Sequence, residues 1–498
     1  MFKSSGAATR AGLAVAMAAC LLGGCGVLPE RPFMNAQRAG SQCGSAEGVP
    51  ALQATPEVVK GKYTLHFVEL DDQGWAFPDA QRAQTDLRVG TPSRQIDCAI
   101  ADLRNQLEQD DGKVLSFVYV HGWNHSARND DRDVDRFRKL LSSRAEFFPD
   151  RKIVGIYVGW QGKSVDVPGL NYLTFWGRKN AAHHVSEGRV RELFSRIRGL
   201  RAYWNGRRAG SATDQDCDWE PSGNDRCKLR TIMIGHSFGG LILFSSAAPY
   251  LLETLTIDRD LPPSEQRPRA ARARGIADLI VLLNPAFEGS RYDPIFNASL
   301  HYKAQDKEPP LLVMLTSDAD WATKKAFPVA RWFNSIFQYP ATSDEQWTAM
   351  RRTPGHIDRY LTHKLCLGDK ECADPPAGPA TPVSAQAASA EPGLSFGPSS
   401  SYCDGLTLRE YVSASPRLRP VVWNVRTHAE VIPDHNGIDQ PAVYQFISQI
   451  YGDVAGTRSV SCGEAYPEAR LHRSPDTTPA PQPQTSLATS TTRSSLRH

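Results

Sequence analysis

The chain has 498 residues, enough for one large domain with flanking segments. Its hydrophobic content of 41% and charged content of 22% are those of an ordinary globular protein. The formal charge is +3, and Lys3 and Arg10 near the start supply two of these charges; the +1 that remains gives no electrostatic basis for a nucleic-acid partner.

Lys3 and Arg10 flank the start of an apolar run, Ala11 to Leu22, that is too short to span a bilayer and has the pattern of an export signal. Leu22-Gly23-Gly24-Cys25 follows and resembles the lipobox of bacterial lipoproteins. Small residues there leave extended backbone accessible to a peptidase beside the thiol. The resemblance implies a signal peptide over residues 1–24 and acylation of Cys25, with palmitate among the chains. Met17-Ala18-Ala19 before Cys20 is a poorer match. Gly26, a residue other than Asp after the cysteine, implies by the same resemblance the periplasmic side of the outer membrane. Several acyl chains are needed, because one alone holds a protein only marginally. No later segment reads as long and apolar enough to cross a membrane.

Residues 25–60 read as a tether, and a folded domain is expected over 61–455. Strands are predicted at Tyr63–Leu70, Val114–Val120, Ile153–Val158 and Leu229–Ile234. Val190, Leu193, Phe194 and Ile197 recur at helical spacing, and a helix is expected from Leu241 to Ala248. Leu279–Leu283, Leu311–Leu315 and Val421–Val425 are further buried strands. Val443, Phe446, Ile447 and Ile450 form a last helix face, with Pro441 near its start and Gly452 past its end. Apolar strands alternating with helices predict an α/β fold: a mostly parallel sheet with helices on both faces and active residues at the strands' carboxyl ends. Residues 374–400 read as a Pro/Ala/Ser-rich insertion between the acid-bearing strand and the last strand, and 463–498 as a disordered tail.

Beyond Cys20 and Cys25 the chain has Cys43, Cys98, Cys217, Cys227, Cys366, Cys372, Cys403 and Cys462. An even number in an exported chain suggests disulfides. Cys217–Cys227 brackets a polar loop and is the favoured pair, and Cys372 and Cys403 flank the insertion. No Cys-x-x-Cys is present, and His183-His184 has no third ligand at useful spacing and reads as a solvated helix start. No metal or cofactor is expected.

Gly235-His236-Ser237-Phe238-Gly239 is short enough for chance to supply. Its setting raises it: a predicted strand precedes it and a predicted helix follows, the context of a nucleophile elbow. A serine there must adopt strained dihedrals, and side chains at Gly235 and Gly239 would collide across the bend. Ser237 is the candidate nucleophile. A carboxylate should follow a later strand, and Thr316-Ser317-Asp318-Ala319-Asp320 offers Asp318 and Asp320. The base should come last, and His428 and His435 follow the last strand. His356 and His363 read as surface residues. The N–H of Phe238, next after the serine, is one expected oxyanion donor.

These features resemble the α/β-hydrolase superfamily over roughly Tyr63 to Tyr451, and within it a bacterial esterase/lipase-like group. Val118-Tyr119-Val120-His121-Gly122-Trp123-Asn124 resembles the group's His-Gly oxyanion loop. Ile156-Tyr157-Val158-Gly159-Trp160, Asn171-Tyr172, Asp320-Trp321-Ala322-Thr323 and Ala326-Phe327-Pro328 are similar to its other loops. The resemblance implies the N–H of Trp123 as the second oxyanion donor, with Gly122 allowing close approach and His121 orienting the loop. It selects Asp320 over Asp318 as the acid, with Ser317 as the small residue before it, and His435 over His428 as the base. It implies a serine hydrolase cleaving a carboxylic ester, with lipid, acylated glycan or a small ester left open as the substrate. An acyltransferase or thioesterase with the same triad, or a non-catalytic binding lipoprotein, is the alternative. Trp332, Phe333, Ile336, Phe337 and Tyr339 form an aromatic cluster read as core packing of a cap segment, with a lid or an acyl-binding surface as the other reading.

Overall fold

The computed structural model describes residues 56–76, 94–109, 112–162, 175–206, 227–257, 259–262, 275–302, 309–334, 341–368, 399–401, 405–411 and 421–454. Cys25, the leader, most of the tether, the insertion as far as residue 398, the tail and Cys217 lie outside them. Cys98, Cys227 and Cys366 are disulfide-bonded.

Among the described residues the strands form one sheet in the order β1-β2-β4-β3-β5-β6-β7-β11-β8-β10-β9. They are β1 Glu57–Val59, β2 Tyr63–Leu70, β3 Val114–Val120, β4 Lys152–Trp160, β5 Leu229–His236, β6 Leu279–Leu283, β7 Leu312–Ser317, β8 His363–Leu367, β9 Ser399–Ser401, β10 Leu406–Glu410 and β11 Val422–Thr427. From β2 to β8 every pairing is parallel. β1 at one edge and β10 and β9 at the other are antiparallel. The class is α/β.

Central strands are apolar on both faces because helices cover both. On β3, Val114, Val118 and Val120 face one core, and Leu115, Phe117 and Tyr119 face the other. The first core is closed by α1 (Arg94–Glu108), α3 (Phe175–Glu187), α4 (Arg189–Asn205), α5 (Phe238–Thr256) and α6 (Gly289–Ser299). The second is closed by α2 (Arg132–Phe147) and α9 (Pro441–Val454). Strand order reverses between β3 and β5, where α2 leaves to one face and α5 to the other. Parallel sheets open a crevice at such a switch point, at the strands' carboxyl ends.

Several expectations need correction. The fold begins at β1, inside the stretch read as a tether. The strands β8 and β10 were not foreseen, and β9 uses Ser399 and Ser400 from the end of the segment read as an insertion. His356 and His363 are buried, not at the surface. His183 and His184 lie late in α3, and Gly452 lies within α9. α5 does meet the length and hydropathy of a membrane span, but two-thirds of it is buried against the sheet as a core helix. Of the aromatic cluster, Trp332, on α7 (Phe327–Asn334), is 47% exposed, and Ile336, Phe337 and Tyr339 lie outside the described residues.

One buried ionic cluster ties the first layer together. Asp278, just before β6, sits 2.7 Å from Arg201 of α4 and 2.9 Å from Arg230 of β5, and accepts from the Thr231 N–H at 2.7 Å. Burial pushes the Asp278 carboxyl up, but the two guanidinium groups outweigh it and lower it to about 2. A carboxylate depressed in the fold stabilises it above the unfolded value of about 4. That contribution is therefore lost as pH falls from about 4 towards 2. Asp278→Ala removes the carboxylate shared by two buried cations and is expected to cost about 3–5 kcal/mol in urea unfolding at pH 7, with the acid-dependent component removed.

Candidate active site

Three loops leave the carboxyl ends of β5, β7 and β11 and converge. β5 ends at His236 and α5 begins at Phe238, so Ser237 alone turns the chain. Its backbone has φ 55° and ψ −119°. Such dihedrals cost a non-glycine residue about 1–3 kcal/mol and persist only where surroundings impose them. Here the Ser237 N–H donates to the Leu283 carbonyl at 3.0 Å, and the Ser237 carbonyl accepts from Ala286 at 3.1 Å and Leu241 at 3.2 Å. The turn has no room for side chains. A Cβ on Gly235 would lie 2.7 Å from the Gly239 carbonyl oxygen, and one on Gly239 would lie 2.1 Å from that of Val120.

His435 bridges the other two loops. Its Nε2 is 2.8 Å from Ser237 Oγ, and its Nδ1 is 2.8 Å from Asp320 Oδ2. An ionised carboxylate only accepts, so Nδ1 carries the proton and Nε2 accepts from the serine hydroxyl. Asp320 is fully buried and takes two further bonds, from the Thr323 N–H at 3.1 Å and the Thr323 hydroxyl at 2.6 Å. Burial pushes the Asp320 carboxyl up, but the neighbouring His435 and the bonds from His435 and Thr323 hold it below its ordinary value.

The structure thus brings Asp320 and His435 to Ser237. It leaves Asp318 and His428 in a half-exposed ionic cluster to one side, which His356 also approaches, at 3.9 Å from Asp318. Asp318 lies 3.6 Å from Lys324, 3.8 Å from Arg426 and 3.9 Å from His428.

The loop after β3 lies against the elbow. A Cβ on Gly122 would lie 2.8 Å from His236 Nδ1 and 3.1 Å from Ser237 Cβ. His121 Nδ1 donates to the Gly122 carbonyl at 2.8 Å, and its Nε2 accepts from the Trp160 N–H at 3.0 Å. The Trp160 indole N–H donates to the His121 carbonyl at 2.8 Å. Burial lowers the His121 pKa to about 4, so the ring is neutral and serves as a fixed brace for the loop. Trp123 and Phe238, tilted with ring centroids 6.4 Å apart, both line a cavity of about 180 Å³ that reaches Ser237 and His435.

Four supporting residues escaped the sequence reading. His236 Nε2 donates to the His435 carbonyl at 2.9 Å; burial, then the nearby His435, lowers its pKa to about 3, so it is neutral. Asn284, with φ 43°, donates to the same carbonyl at 3.1 Å and accepts from the Ser317 N–H at 3.0 Å. Thr323 holds Asp320, and buried His356 donates through Nε2 to the Thr323 oxygen at 3.0 Å. Asn284 had one legible signal: a polar side chain directly after an apolar strand, as at the other site residues. Thr323 had none, although Asp320 stands only three residues before it, because a threonine near a carboxylate is commonplace; His356 had none because Thr323 is distant in sequence. Ser317, expected only as a small residue, donates to the Ile432 carbonyl at 2.6 Å and so joins the two loops. From the α2 side, Arg136 donates to the Asn436 carbonyl at 3.0 Å and pairs with Asp439 at 3.0 Å.

No protein-family model, curated protein or solved structure matches the chain.

The elbow's crowding is directly testable. Gly239→Ala forces a methyl against two carbonyl oxygens and is expected to cost about 1–3 kcal/mol in chemical denaturation. Gly177→Ala, in α3 with open space around it, should instead be neutral or stabilise by up to about 1 kcal/mol.

Proposed function

We propose that this chain is a serine hydrolase of the α/β-hydrolase type that cleaves a carboxylic ester through an acyl-enzyme on Ser237. The observation that carries the reading is the continuous line from Ser237 Oγ through the His435 ring to Asp320, with 2.8 Å at each step and the serine on a strained elbow beside a cavity. The chain order Ser237, Asp320, His435 and the strand–turn–helix setting support it.

The chemistry follows from the proton positions. His435 Nε2 takes the Ser237 proton as Oγ bonds to the acyl carbon. The imidazolium that forms is stabilised by ionised Asp320, which also fixes the ring's tautomer. Negative charge develops on the carbonyl oxygen. The N–H groups of Phe238, at the positive end of α5, and of Trp123 are the donors assigned to it. The C–O bond to the alcohol then breaks, and His435 gives its proton to the leaving oxygen. Water enters, loses a proton to His435 and attacks the acyl carbon. The acid leaves as Oγ recovers its proton. His236 and Asn284 keep the ring in place through the His435 carbonyl while its charge changes.

Acylation of Cys25 would hold the enzyme on the periplasmic side of the outer membrane, close to lipid and acylated glycan. Ser237→Ala is expected to lower kcat on a short aryl ester by about 10⁶ and to abolish labelling by a fluorophosphonate. Asp320→Asn should lower kcat by about 10⁴, whereas Asp318→Asn and His428→Ala stay close to wild type. Hydrolysis retained in Ser237→Ala overturns the mechanism.

A further inference from the structure

The cavity beside Ser237 has an unusual wall. Ala322, Ala326 and Ala330 all line it, and all are half-buried. They stand four residues apart along a continuous helical segment: a π-type turn, Ala322–Ala326, running into α7. Residues four apart lie on one helix face, so the three methyls form a single row. Lys324 and Lys325 project elsewhere and are exposed. Aromatic rings complete the lining: Trp123 and Phe238 from other elements, and Phe327 from the same helical segment as the alanines. Trp321 lines the cavity yet is 65% exposed, which places it at the rim.

Among the described residues no Lys, Arg, Asp or Glu lines this space, and its hydroxyl and imidazole groups belong to Ser237, Thr323 and His435. All three are committed: Ser237 and His435 to each other, Thr323 to Asp320 and His356. A charged acyl group would be stripped of water there with no charged side chain among the described lining residues to offset the cost. An apolar chain loses nothing. Size narrows the choice. The cavity measures about 180 Å³, below the roughly 300 Å³ at which drug-sized ligands begin to fit. An apolar protein cavity of about 150 Å³ takes up benzene, a body of six carbons.

We infer that the site takes esters of a medium-length fatty acyl group of about six to eight carbons, with the tail lying along Ala322, Ala326 and Ala330. This rests on the reading of Ser237 as the acyl-accepting nucleophile. The alanines set the acyl length because any larger side chain in the row occupies the tail's volume. The alcohol part of the ester lies outside the cavity, on the Trp321 side, and is not selected by these walls.

The test uses the full chain purified in detergent, with p-nitrophenyl esters from acetyl to palmitoyl. In the wild type, kcat/KM should rise to a maximum near hexanoyl or octanoyl and fall for laurate and longer chains. In Ala326→Leu and Ala330→Leu, the octanoyl-to-acetyl ratio of kcat/KM should fall at least about tenfold. Thermal unfolding checks that each variant is folded, and the wild-type profile decides alone if neither is. A profile flat in chain length, a maximum at acetyl or at palmitoyl, or an unchanged ratio in both folded variants overturns the inference. Labelling of Ser237 by a fluorophosphonate separates the two readings. A labelled serine without chain-length preference overturns the acyl assignment alone. An unlabelled serine with no ester hydrolysed overturns the nucleophile itself.

Discussion

The carbonyl of His435 accepts two hydrogen bonds, from the buried side chains of His236 and Asn284, and the geometry of the site depends on them. His435 sits on a loop that contributes no strand pairing of its own. A ring carried on such a loop would sample many orientations unless its backbone were fixed. Here a side chain from the end of β5 and one from just after β6 hold it from below. Because His236 is adjacent to Ser237, the same short segment supplies the hydroxyl and anchors the imidazole that must meet it. Their separation is thereby insensitive to distant movement of the chain.

Strain and support are arranged together around this point. Ser237 adopts dihedrals that its own side chain opposes, and its N–H and carbonyl are held by Leu283, Ala286 and Leu241. Asn284 is likewise left-handed, and its side chain joins the acid loop to the His435 loop. Three neighbouring parallel strands, β5, β6 and β7, therefore end in residues that hold one another. A parallel sheet makes this possible because all its carboxyl ends lie on one edge. The rigidity of the sheet, apolar on both faces, is what supports strained backbone at its rim.

Much of this was legible in the chain itself. The central strands were readable because burial on both faces demands continuous apolar runs, such as Leu279–Leu283, with little else to confuse them. Strands β8 and β10 were not, since they lie towards an edge and mix polar with apolar residues, as in His363-Lys364-Leu365-Cys366-Leu367. His356 and His363 looked like surface residues because a histidine's burial depends on what packs over it. Both have pKa values lowered by burial, to about 4 and about 3, and a sequence carries no trace of that.

The sequence by itself determined the α/β class, the elbow and a short set of candidates for acid and base. It could do so because helix and strand periods, and the glycines that a tight turn requires, are local properties. Only the tertiary structure shows that Asp320 and His435, and not Asp318 and His428, stand in line with Ser237. Asp318 and Asp320 are two residues apart and chemically identical, and they differ only in which way the loop after β7 turns them. One is fully buried against Thr323 and His435, and the other faces Arg426 and Lys324 at the surface. That direction is set in part by contacts with His435 and Arg426, each more than a hundred positions away, which no local pattern encodes.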